Sequence, residues 1–430
     1  MKKGIIVLLI AVLAVGFAFA DFSGSASIGF DFYLSSKENG LYNDQAMKYS
    51  FTFDIDKATG ESKGEGDLYA EISATADFVI KANGVKATGD VNPAVTLKIT
   101  KANIVFKDIT INILGPAGAY DYAKSYWTNK LGKSIRDYAN NYKPGAPGFV
   151  ASYKGFSLSF AYRHVVYDAD PGSTTWYLDP EDGAIKADIV PPTPAGKTTT
   201  LYTGLETKAF ELADGLTAQA AANFKMVKQD DNDADLRAGG GAKVVYKNDD
   251  MKLNVTFAAD AEYNNEKLPI DISLAAKYDF VSANVYFGTS DKFAEDTMTL
   301  GAKVAASYTI DEKITVGGYA ETREVFLQEH PWLSFGANLG YEAEKFSAYA
   351  NAVVSMKYSA ADEAYKLDAN TDTNGAKYAG LGLECGVSTD ALISNCTVAL
   401  DWTGSDFSKK NADGDLTKLG VVAVSATVAF

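Results

Sequence analysis

The feature that most constrains this chain is a two-residue alternation of apolar and polar side chains, repeated in long segments from residue 25 onward. In one such segment every second residue from Met251 to Tyr263 is apolar, while Lys252, Asn254 and Glu262 lie between them. This period is that of a β-strand whose two faces meet unlike surroundings. Most segments span roughly 9 to 12 residues, which is longer than a usual soluble strand and long enough to cross a bilayer at a tilt.

The lengths of the connections between these segments predict how the strands are arranged. After residue 148 the connections alternate between short, as at Lys154-Gly155, and long, as over 168–198. Bacterial outer-membrane barrels have short periplasmic turns and long extracellular loops, and counting back from Phe430 places the short connections on the side of the C-terminus. We therefore predict an all-β fold, a transmembrane antiparallel β-barrel of about 20 strands within a range of roughly 16–22. A soluble β-sheet is the alternative, but it has no reason to keep this order of connections.

The first twenty residues, 1–20, have the pattern of a cleaved secretory signal peptide. Lys2 and Lys3 precede an apolar stretch and an Ala-x-Ala site at 18–20, so we predict cleavage before Asp21. The apolar stretch is shorter than the roughly 18 residues of a membrane helix. The chain is acidic, with a formal net charge of −15, which argues against nucleic acid as a partner. We therefore predict an exported protein of the cell outer membrane, embedded in lipid.

Aromatic residues recur at the strand ends beside the short connections, on the face predicted to point outward. Such a girdle is typical of a membrane interface, although cross-strand aromatic packing in a soluble sheet would give the same pattern. The last predicted strand, 420–430, looks like the C-terminal assembly signal of outer-membrane barrels, which implies recognition by the barrel-assembly machinery. The predicted periplasmic girdle comprises Tyr153, Phe156, Tyr246, Tyr278, Phe280, Tyr308, Tyr341, Phe346 and Phe430.

Three segments near the N-terminus carry a resemblance to a known family. They are Gly64-Glu-Gly-Asp-Leu-Tyr-Ala-Glu-Ile72, Leu97-Lys-Ile-Thr-Lys-Ala102 and Asp108-Ile-Thr-Ile-Asn-Ile-Leu-Gly115. Over residues 50–115 the chain resembles the N-terminal region of the treponemal major outer sheath proteins and the related treponemal repeat (Tpr) proteins. The C-terminal half resembles them mainly in pattern. The resemblance implies a trimeric porin of a spirochaete outer membrane, which is a surface antigen and an adhesin for host matrix proteins.

The chain divides at residues 20, 114 and 147. After the signal peptide, residues 21–114 supply N-terminal barrel strands, 115–147 form a basic, partly helical connection, and 148–430 form the main barrel with its closing strand. The family resemblance also allows residues 21–114 to be a separate periplasmic region. Because bacterial barrels usually have an even number of strands and an odd number is predicted after residue 148, we favour their inclusion in the barrel.

The face opposite the apolar one is polar and charged, and we predict that it lines an aqueous pore. Its positive and negative charges nearly balance, which predicts a weakly selective diffusion channel for small hydrophilic solutes. A solvated face of a soluble sheet is the alternative. A Lys or Arg at the middle of the lipid face would cost about 2–4 kcal/mol, so the charged face points inward. The predicted pore-lining residues are Glu71, Asp77, Lys98, Arg163, Lys225, Arg237, Lys243, Asp260, Glu262, Lys277, Lys303, Glu321 and Arg323.

The connection over 115–147 is basic within an acidic protein, and apolar residues recur in it at helical spacing from Ala123 to Tyr142. A loop folded into the pore would pack this apolar stripe on the inner wall and turn its basic face toward a constriction. An external helix packed on neighbouring loops, or a contact within a trimer, would account for the same pattern. The residues predicted to line the constriction are Lys124, Lys130, Lys133 and Arg136.

Few residues point to other chemistry. Cys385 and Cys396 fall at matching distances from a predicted turn, so they form either a disulfide or two buried thiols. The only two histidines fit no zinc motif, and a calcium-like loop beginning at Asn370 has Leu381 where a bidentate Glu is required. We predict no catalytic residue, no metal and no cofactor. A surface adhesin anchored by the barrel is the main alternative to a porin, and a plugged transporter ranks third.

Overall fold

The computed structural model describes the chain between residues 20 and 429 in segments. They are residues 20–37, 39–41, 44–55, 68–83, 91–115, 122–125, 146–169, 173–178, 185–190, 195–230, 232–264, 266–294, 297–326, 329–368, 379–393, 395–411 and 413–429. Most of the predicted signal peptide, residues 1–19, and Phe430 therefore lie outside the described residues. Within the described segments no helix is long and apolar enough to cross a membrane.

The described residues contain 25 strands, labelled in chain order. They are β1 (Ala20–Tyr33), β2 (Asn39–Leu41), β3 (Asp44–Ile55), β4 (Leu68–Asn83), β5 (Val91–Phe106), β6 (Ile109–Asn112), β7 (Gly148–Tyr153), β8 (Phe156–Tyr167), β9 (Ser173–Leu178), β10 (Ile185–Val190), β11 (Gly196–Thr207), β12 (Phe210–Ala213), β13 (Leu216–Gln229), β14 (Asp235–Asn248), β15 (Leu253–Asn264), β16 (Ile270–Tyr278), β17 (Val281–Thr289), β18 (Met298–Ile310), β19 (Ile314–Arg323), β20 (Trp332–Ala343), β21 (Phe346–Ser359), β22 (Ala364–Leu367), β23 (Leu381–Ile393), β24 (Cys396–Thr403) and β25 (Val421–Ala429).

Twenty of these 25 described strands form one antiparallel sheet that closes into a barrel. Each pairs with its neighbours in chain order, and the ring closes where β25 pairs with β1, from Ser25 opposite Ala429 to Tyr33 opposite Val421. Five strands lie outside the ring, because β9 and β10 form a separate hairpin and β2, β12 and β22 pair beside it. The predicted antiparallel all-β fold is confirmed, and closure leaves the ring without a free edge.

The N-terminal strands β1 and β3 to β6 belong to the same ring as the rest. The alternation of apolar and polar residues is interrupted within Val91–Phe106, although this is one continuous strand that is followed by Ile109–Asn112. The cause is a β-bulge. Ser73 pairs with Lys101 and Ala74 with Ile99, so Thr100 is an extra residue that shifts the alternation within a continuous strand.

The two ends of the barrel have unlike connections. The end at which β25 finishes, here called the short-turn end, has two-residue connections at 107–108, 154–155, 279–280, 344–345 and 394–395. The opposite end, here called the long-loop end, has the connections 113–147, 168–195, 360–380 and 404–420. In the turn at 154–155, Lys154 and Gly155 have φ of 45° and 92°, as a tight hairpin turn with left-handed residues requires.

The two faces of the closed sheet differ in chemistry. Outer-face positions carry exposed apolar side chains such as Phe257 and Leu339, whereas inner-face positions carry polar ones such as Asp260. On β18 the apolar outer face runs from Met298 to Tyr308, which is about 33 Å of strand at about 3.3 Å per residue. At a tilt of about 40° this height becomes about 25 Å, the thickness of the apolar band of outer-membrane barrels.

Candidate functional site

The interior of the barrel has two halves that differ in burial. Toward the long-loop end of β15 to β21, the inner-face side chains are almost inaccessible to water, and we call this part the packed half. It comprises Asp260, Glu262, Asp271, Tyr286, Thr299, Glu321, Arg323, Trp332, Ser334 and Ser355, none of them more than 4% exposed. Toward the short-turn end the inner-face positions are exposed or half-exposed, and we call this part the open half. Its exposed members on these strands include Asn254, Lys277, Ser307, Asn338 and Glu342.

A segment of the connection 113–147 is hydrogen-bonded to the inner wall. The backbone N–H groups of Tyr122 and Ala123 donate to Oδ2 of Asp260 on β15, at 2.8 and 2.7 Å. The Tyr122 hydroxyl donates to Oε1 of Glu206 on β11 at 2.8 Å, and Nζ of Lys243 lies 5.4 Å from the Tyr122 ring. We call these contacts the latch. Burial and the adjacent Glu206 raise the pKa of Tyr122 above its ordinary value, so the phenol stays a neutral donor.

Four charged residues meet on the inner wall beside the latch. Lys225 on β13 lies opposite Arg237 on β14 in the strand register. The Arg237 guanidinium donates to Oδ2 of Asp235 from Nε at 3.1 Å and from Nη2 at 2.9 Å. Its Nη1 lies 3.9 Å from Oε1 of the buried Glu262. Two cations therefore stand beside two carboxylates, and the cluster is balanced in charge.

A second charged cluster lies on β18 and β19. Glu321 accepts a hydrogen bond from Nε of Arg323 at 2.8 Å and lies 3.2 Å from Nζ of Lys303. The Arg323 guanidinium carbon is 4.7 Å from the ring of Trp332, and Lys303 Nζ is 4.2 Å from the ring of Tyr319. Ion pairing and cation–π contacts together compensate the removal of these charges from water. Only Lys303 remains partly open to solvent, at 26%.

Inward-facing tyrosine rings pass over glycines of the barrel wall. Their hydroxyl groups donate hydrogen bonds to carboxylates. The Tyr286 hydroxyl donates to Oδ1 of Asp271 at 2.7 Å, and a Cβ at Gly288 would lie 2.7 Å from that hydroxyl. Glycine is therefore required where the phenol crosses the wall. Tyr349 bonds in the same way to Asp401, at 3.0 Å. The Tyr286 ring fills interior space and satisfies a carboxylate that would otherwise face a poorly solvated wall, whereas the pair of Tyr349 and Asp401 is exposed.

All thirteen predicted pore-lining residues occupy inner-face strand positions. Glu71 lies 2.9 Å from Lys101 and accepts a hydrogen bond from Asn103, while the side chain of Asp77 lies outside the described residues. Lys98, Arg163 and Lys277 are exposed, in contrast to the buried residues of the two charged clusters. The strand register thus places the predicted residues on one face, and their contact with a conducting pore stays a prediction.

The predicted constriction is described only in part. Lys124 follows the latch directly and is exposed, but Lys130, Lys133 and Arg136 lie outside the described residues, as does most of the predicted helix. The latch brings the beginning of this connection against the inner wall, at Asp260 and Glu206. Whether the basic residues line a constriction stays a prediction.

The predicted girdle residues flank the turns of the short-turn end. Those that are more than a third exposed are Tyr153, Phe156, Tyr278, Phe280, Tyr308, Tyr341 and Phe346, while Tyr246 is half-buried. Phe280 contacts Tyr308 edge-on, with 5.7 Å between ring centroids. A second aromatic set that the sequence analysis missed lies at the long-loop end and comprises Tyr162, Tyr263, Phe293 and Phe326, each about half exposed. Tyr263 continues the apolar alternation of its strand, so the sequence pattern could have predicted its place in this second set.

Several inward residues were also missed. Tyr122 and Glu206 form the latch, Asp235 pairs with Arg237, and Asp271 pairs with Tyr286. Asp271 and Tyr286 fall at inward positions of predicted strands, so the alternation could have found them. Nothing in the sequence pairs Tyr122 with a strand residue 138 positions away, because that contact depends on the closed barrel.

Of the two alternatives for Cys385 and Cys396, the structure has free thiols, of which Cys385 is exposed and Cys396 is buried. Cys385 lies opposite Trp402, whereas Cys396 lies opposite Ile393, directly after the turn. The turn falls at 394–395 rather than midway between the two cysteines, because the register shifts between Thr389 and Ile393. The two thiols are therefore far apart along the hairpin. Among the described residues no group of His, Cys, Asp and Glu side chains is arranged to hold a metal ion.

No family model and no curated protein matches this sequence. Solved structures of similar strand arrangement include a triple mutant of the Rhodopseudomonas blastica porin, with 10% identity and a TM-score of 0.35 over 96% of this chain and 100% of that one. OccK7 (OpdD) of Pseudomonas aeruginosa is similar over 96% of this chain and 98% of its own, with 9% identity and a TM-score of 0.42. Because these scores are low, we base the fold on the strand pairings themselves: a closed antiparallel barrel with an apolar outside and a polar inside.

Proposed function

We propose that this protein is an outer-membrane channel through which small hydrophilic solutes diffuse. The observation that carries the proposal is the closed ring of twenty described strands with exposed apolar residues outside and charged residues inside. Barrels of 16–18 strands already leave an aqueous channel, and the diameter grows with the number of strands. The near balance of inward charges supports weak ion selectivity.

The orientation that we propose places the short-turn end in the periplasm and the long-loop end outside the cell. In this arrangement the two aromatic sets lie at the two interfaces of the lipid bilayer, and the C-terminal segment 420–430 is the one that the barrel-assembly machinery recognises. The resemblance over residues 50–115 supports a spirochaete major outer sheath protein or Tpr protein, assembled as a homotrimer and exposed as a surface antigen.

We further propose that the connection 115–147 narrows the channel. The latch supports this, because Asp260 holds the backbone of Tyr122 and Ala123 against the inner wall. The basic residues that follow, from Lys124 to Arg136, would then lie in or near the aqueous path. Deleting 126–140 should raise the single-channel conductance, because it removes the segment that this proposal places in the aqueous path.

The direct test of the channel is conductance in a planar lipid bilayer. The full-length mature chain, refolded in detergent and checked for β-structure by circular dichroism, should insert in discrete steps and conduct both K⁺ and Cl⁻. A vesicle-swelling assay with small sugars measures solute passage independently. Folded protein that inserts without conducting, and that admits no sugar, would overturn the proposal.

A second candidate function is a surface adhesin that binds host extracellular matrix. The observation that favours it is the collection of the longest connections at one end, including the 168–195 connection with its β9–β10 hairpin. Binding of intact protein to fibronectin or laminin, lost when 170–194 is replaced by a short Gly-Ser linker while conductance persists, would support it. Unchanged binding after the same replacement would show that this connection is not the adhesin site.

A further inference from the structure

Six consecutive strands of the ring form an inner wall with almost no basic residue. They are β20, β21, β23, β24, β25 and β1, which pair in this order. As the structure describes them, Lys357 at the long-loop end of β21 is their only lysine or arginine. Three inward carboxylates lie on the part of this wall from β23 to β1, and we call Asp31, Glu384 and Asp401 the acidic cluster.

The strand register fixes the face and the spacing of the acidic cluster. Glu384 lies on the inner face because it pairs with Asn351, which pairs with the inward Asn338. Asp401 pairs with Gly386, two residues from Glu384, so the Cα atoms of the two acidic residues are about 8 Å apart.

Asp401 and Asp31 lie on either side of a single small residue. Both pair with Ala423 on β25, so their Cα atoms are about 10 Å apart. A Mg²⁺ ion needs its oxygen ligands at about 2.0–2.1 Å, so one metal ion does not bridge carboxylates at this spacing. The spacing suits a ligand that carries several separate positive groups.

Asp31 has a buried oxygen atom without a hydrogen-bond donor. The residue is only 6% exposed, and its Oδ1 has no hydrogen-bond partner among the residues that the structure describes. Its Oδ2 accepts one long hydrogen bond from the Tyr33 hydroxyl, at 3.5 Å. A buried carboxylate is unfavourable without a counter-charge, and an ammonium group beside Oδ1 would supply both a charge and a donor.

Asp401 offers a second position for a positive group. The Tyr349 hydroxyl donates to its Oδ1 at 3.0 Å, and the Tyr349 ring crosses Gly386, where an added Cβ would lie 2.6 Å from the ring. An exposed carboxylate beside an aromatic ring provides both the ion pair and the cation–π contact that an alkylammonium group can use. The half-buried Glu384 accepts a hydrogen bond from the backbone N–H of Gly404 at 3.3 Å.

The lysines around this wall do not pair with the acidic cluster. Among the described residues no ion pair includes Asp31, Glu384 or Asp401, and the hydrogen bonds that they accept come from neutral donors. The lysines lie at the long-loop end of β21, in β22 and in the connections, and they are Lys37, Lys345, Lys357, Lys366, Lys409, Lys410 and Lys418. The acidic cluster is therefore without a counter-ion in the part of the chain that the structure describes.

We propose that the acidic cluster binds linear polyamines, organic cations that carry two or more ammonium groups on a flexible chain. This inference rests on the proposed channel function and names a solute class for it. One ammonium group pairs with Asp31, and another pairs with Asp401 beside the Tyr349 ring, while the carbon chain between them crosses Ala423. Glu384 extends the site toward the long-loop end, so a longer polyamine gains a third ion pair.

The test is block of the channel by spermidine in a planar bilayer that contains the full-length protein, compared with butylamine and Mg²⁺ at matched ionic strength. Because spermidine engages several carboxylates at once, half-block should need at least about tenfold less spermidine than butylamine. Mg²⁺ at the concentration that gives half-block by spermidine should leave the current unchanged. Titration calorimetry of spermidine into the protein refolded in detergent measures binding independently of conduction.

The triple variant Asp31→Asn, Glu384→Gln and Asp401→Asn should need as much spermidine as butylamine for half-block. Glu342→Gln is the matched control, because Glu342 is inward and exposed but lies about 16 Å from Asp401 along the register, beyond the Debye length of about 8 Å. It should leave the block by spermidine unchanged. Tyr349→Phe keeps the ring and should preserve the block, whereas Tyr349→Leu should weaken it about two- to fivefold.

The outcomes separate this site from the channel itself. Channels that conduct but respond equally to spermidine and butylamine, that are blocked as well by Mg²⁺, or whose block is unchanged in the triple variant would overturn the site and leave the channel proposal standing. Should the triple variant not fold, Asp31→Asn alone, which keeps the size of the side chain, should still weaken the block. Folded wild-type protein that binds spermidine in the titration without conducting would overturn the channel and keep the site.

Discussion

The packed half and the open half of the interior share the same strands and the same face, yet they differ in what their side chains contact. In the packed half, aromatic rings cross wall glycines and charged groups are paired, as Tyr286 with Asp271 and Arg323 with Glu321. In the open half, Asn254, Ser307 and Asn338 face water. The difference shows that an alternating polar face can be either a filled interior or a solvated wall. The position of a residue along the barrel axis determines whether it lies in the filled interior or on the solvated wall.

The largest effect that we expect comes from breaking a buried ion pair. Arg323→Met would leave the Glu321 carboxylate buried and paired with Lys303 but without Arg323, and we expect a loss of about 3–5 kcal/mol in the free energy of unfolding. Lys277→Met, the matched change in the open half, should alter the free energy of unfolding by no more than about 0.5 kcal/mol. Urea unfolding of the refolded barrel, followed by tryptophan fluorescence, measures both. Equal losses would mean that the two halves are solvated alike.

The second largest effect should come from introducing a new charge into each half of the interior. Ser334→Lys places an ammonium where the native side chain is 0% exposed, and we expect a loss of about 2–4 kcal/mol. Ser307→Lys, also inward but exposed, should change stability by less than about 0.5 kcal/mol. The same unfolding assay applies. Tolerance of Ser334→Lys would show that water reaches the packed half.

The latch should give a smaller change in stability together with a change in conductance. Asp260→Ala removes the acceptor of two backbone N–H groups, one of them in the fully buried Ala123, and we expect a loss of about 1–3 kcal/mol. Open-channel noise should rise, because the connection 113–147 is no longer held. Glu206→Gln keeps an acceptor for Tyr122 and should leave the noise unchanged. Unchanged open-channel noise in a folded Asp260→Ala variant would show that the latch does not affect conduction.

The smallest effect should come from the exposed turn pair Lys252–Asp279, 2.8 Å apart at the short-turn end. The hydrogen bond to Asp279 raises the pKa of Lys252, so any stability it adds is present at neutral pH and is lost as the pH rises through that raised value. Because the pair is solvent-exposed, Asp279→Asn should leave the urea midpoint at pH 7 unchanged. A clear shift would show that the turns stabilise the barrel more than the interior clusters do.

The alternation of side chains was enough to predict an antiparallel ring of strands with unlike faces, because the side-chain period of a strand is two and one slip would invert both faces. It could not predict burial along the axis. Ser334 and Asn338 fit the same pattern, yet only Ser334 is buried, since burial depends on what fills that level of the lumen. The position of Cys396 was missed for a related reason. A register shift beside a turn cannot be recognised from the alternation of apolar and polar residues.

Cysteine accessibility at Ser307 and Ser334 tests the asymmetric interior in one measurement. In a Cys385→Ala, Cys396→Ala background, Ser307→Cys and Ser334→Cys are exposed to a charged, membrane-impermeant thiol reagent on each side of a planar bilayer. Both positions are inward, on neighbouring parts of the same wall. The packed and open halves predict that Ser307→Cys reacts rapidly from the short-turn side and that Ser334→Cys stays unmodified from either side. Rapid reaction of Ser334→Cys from the long-loop side would contradict them.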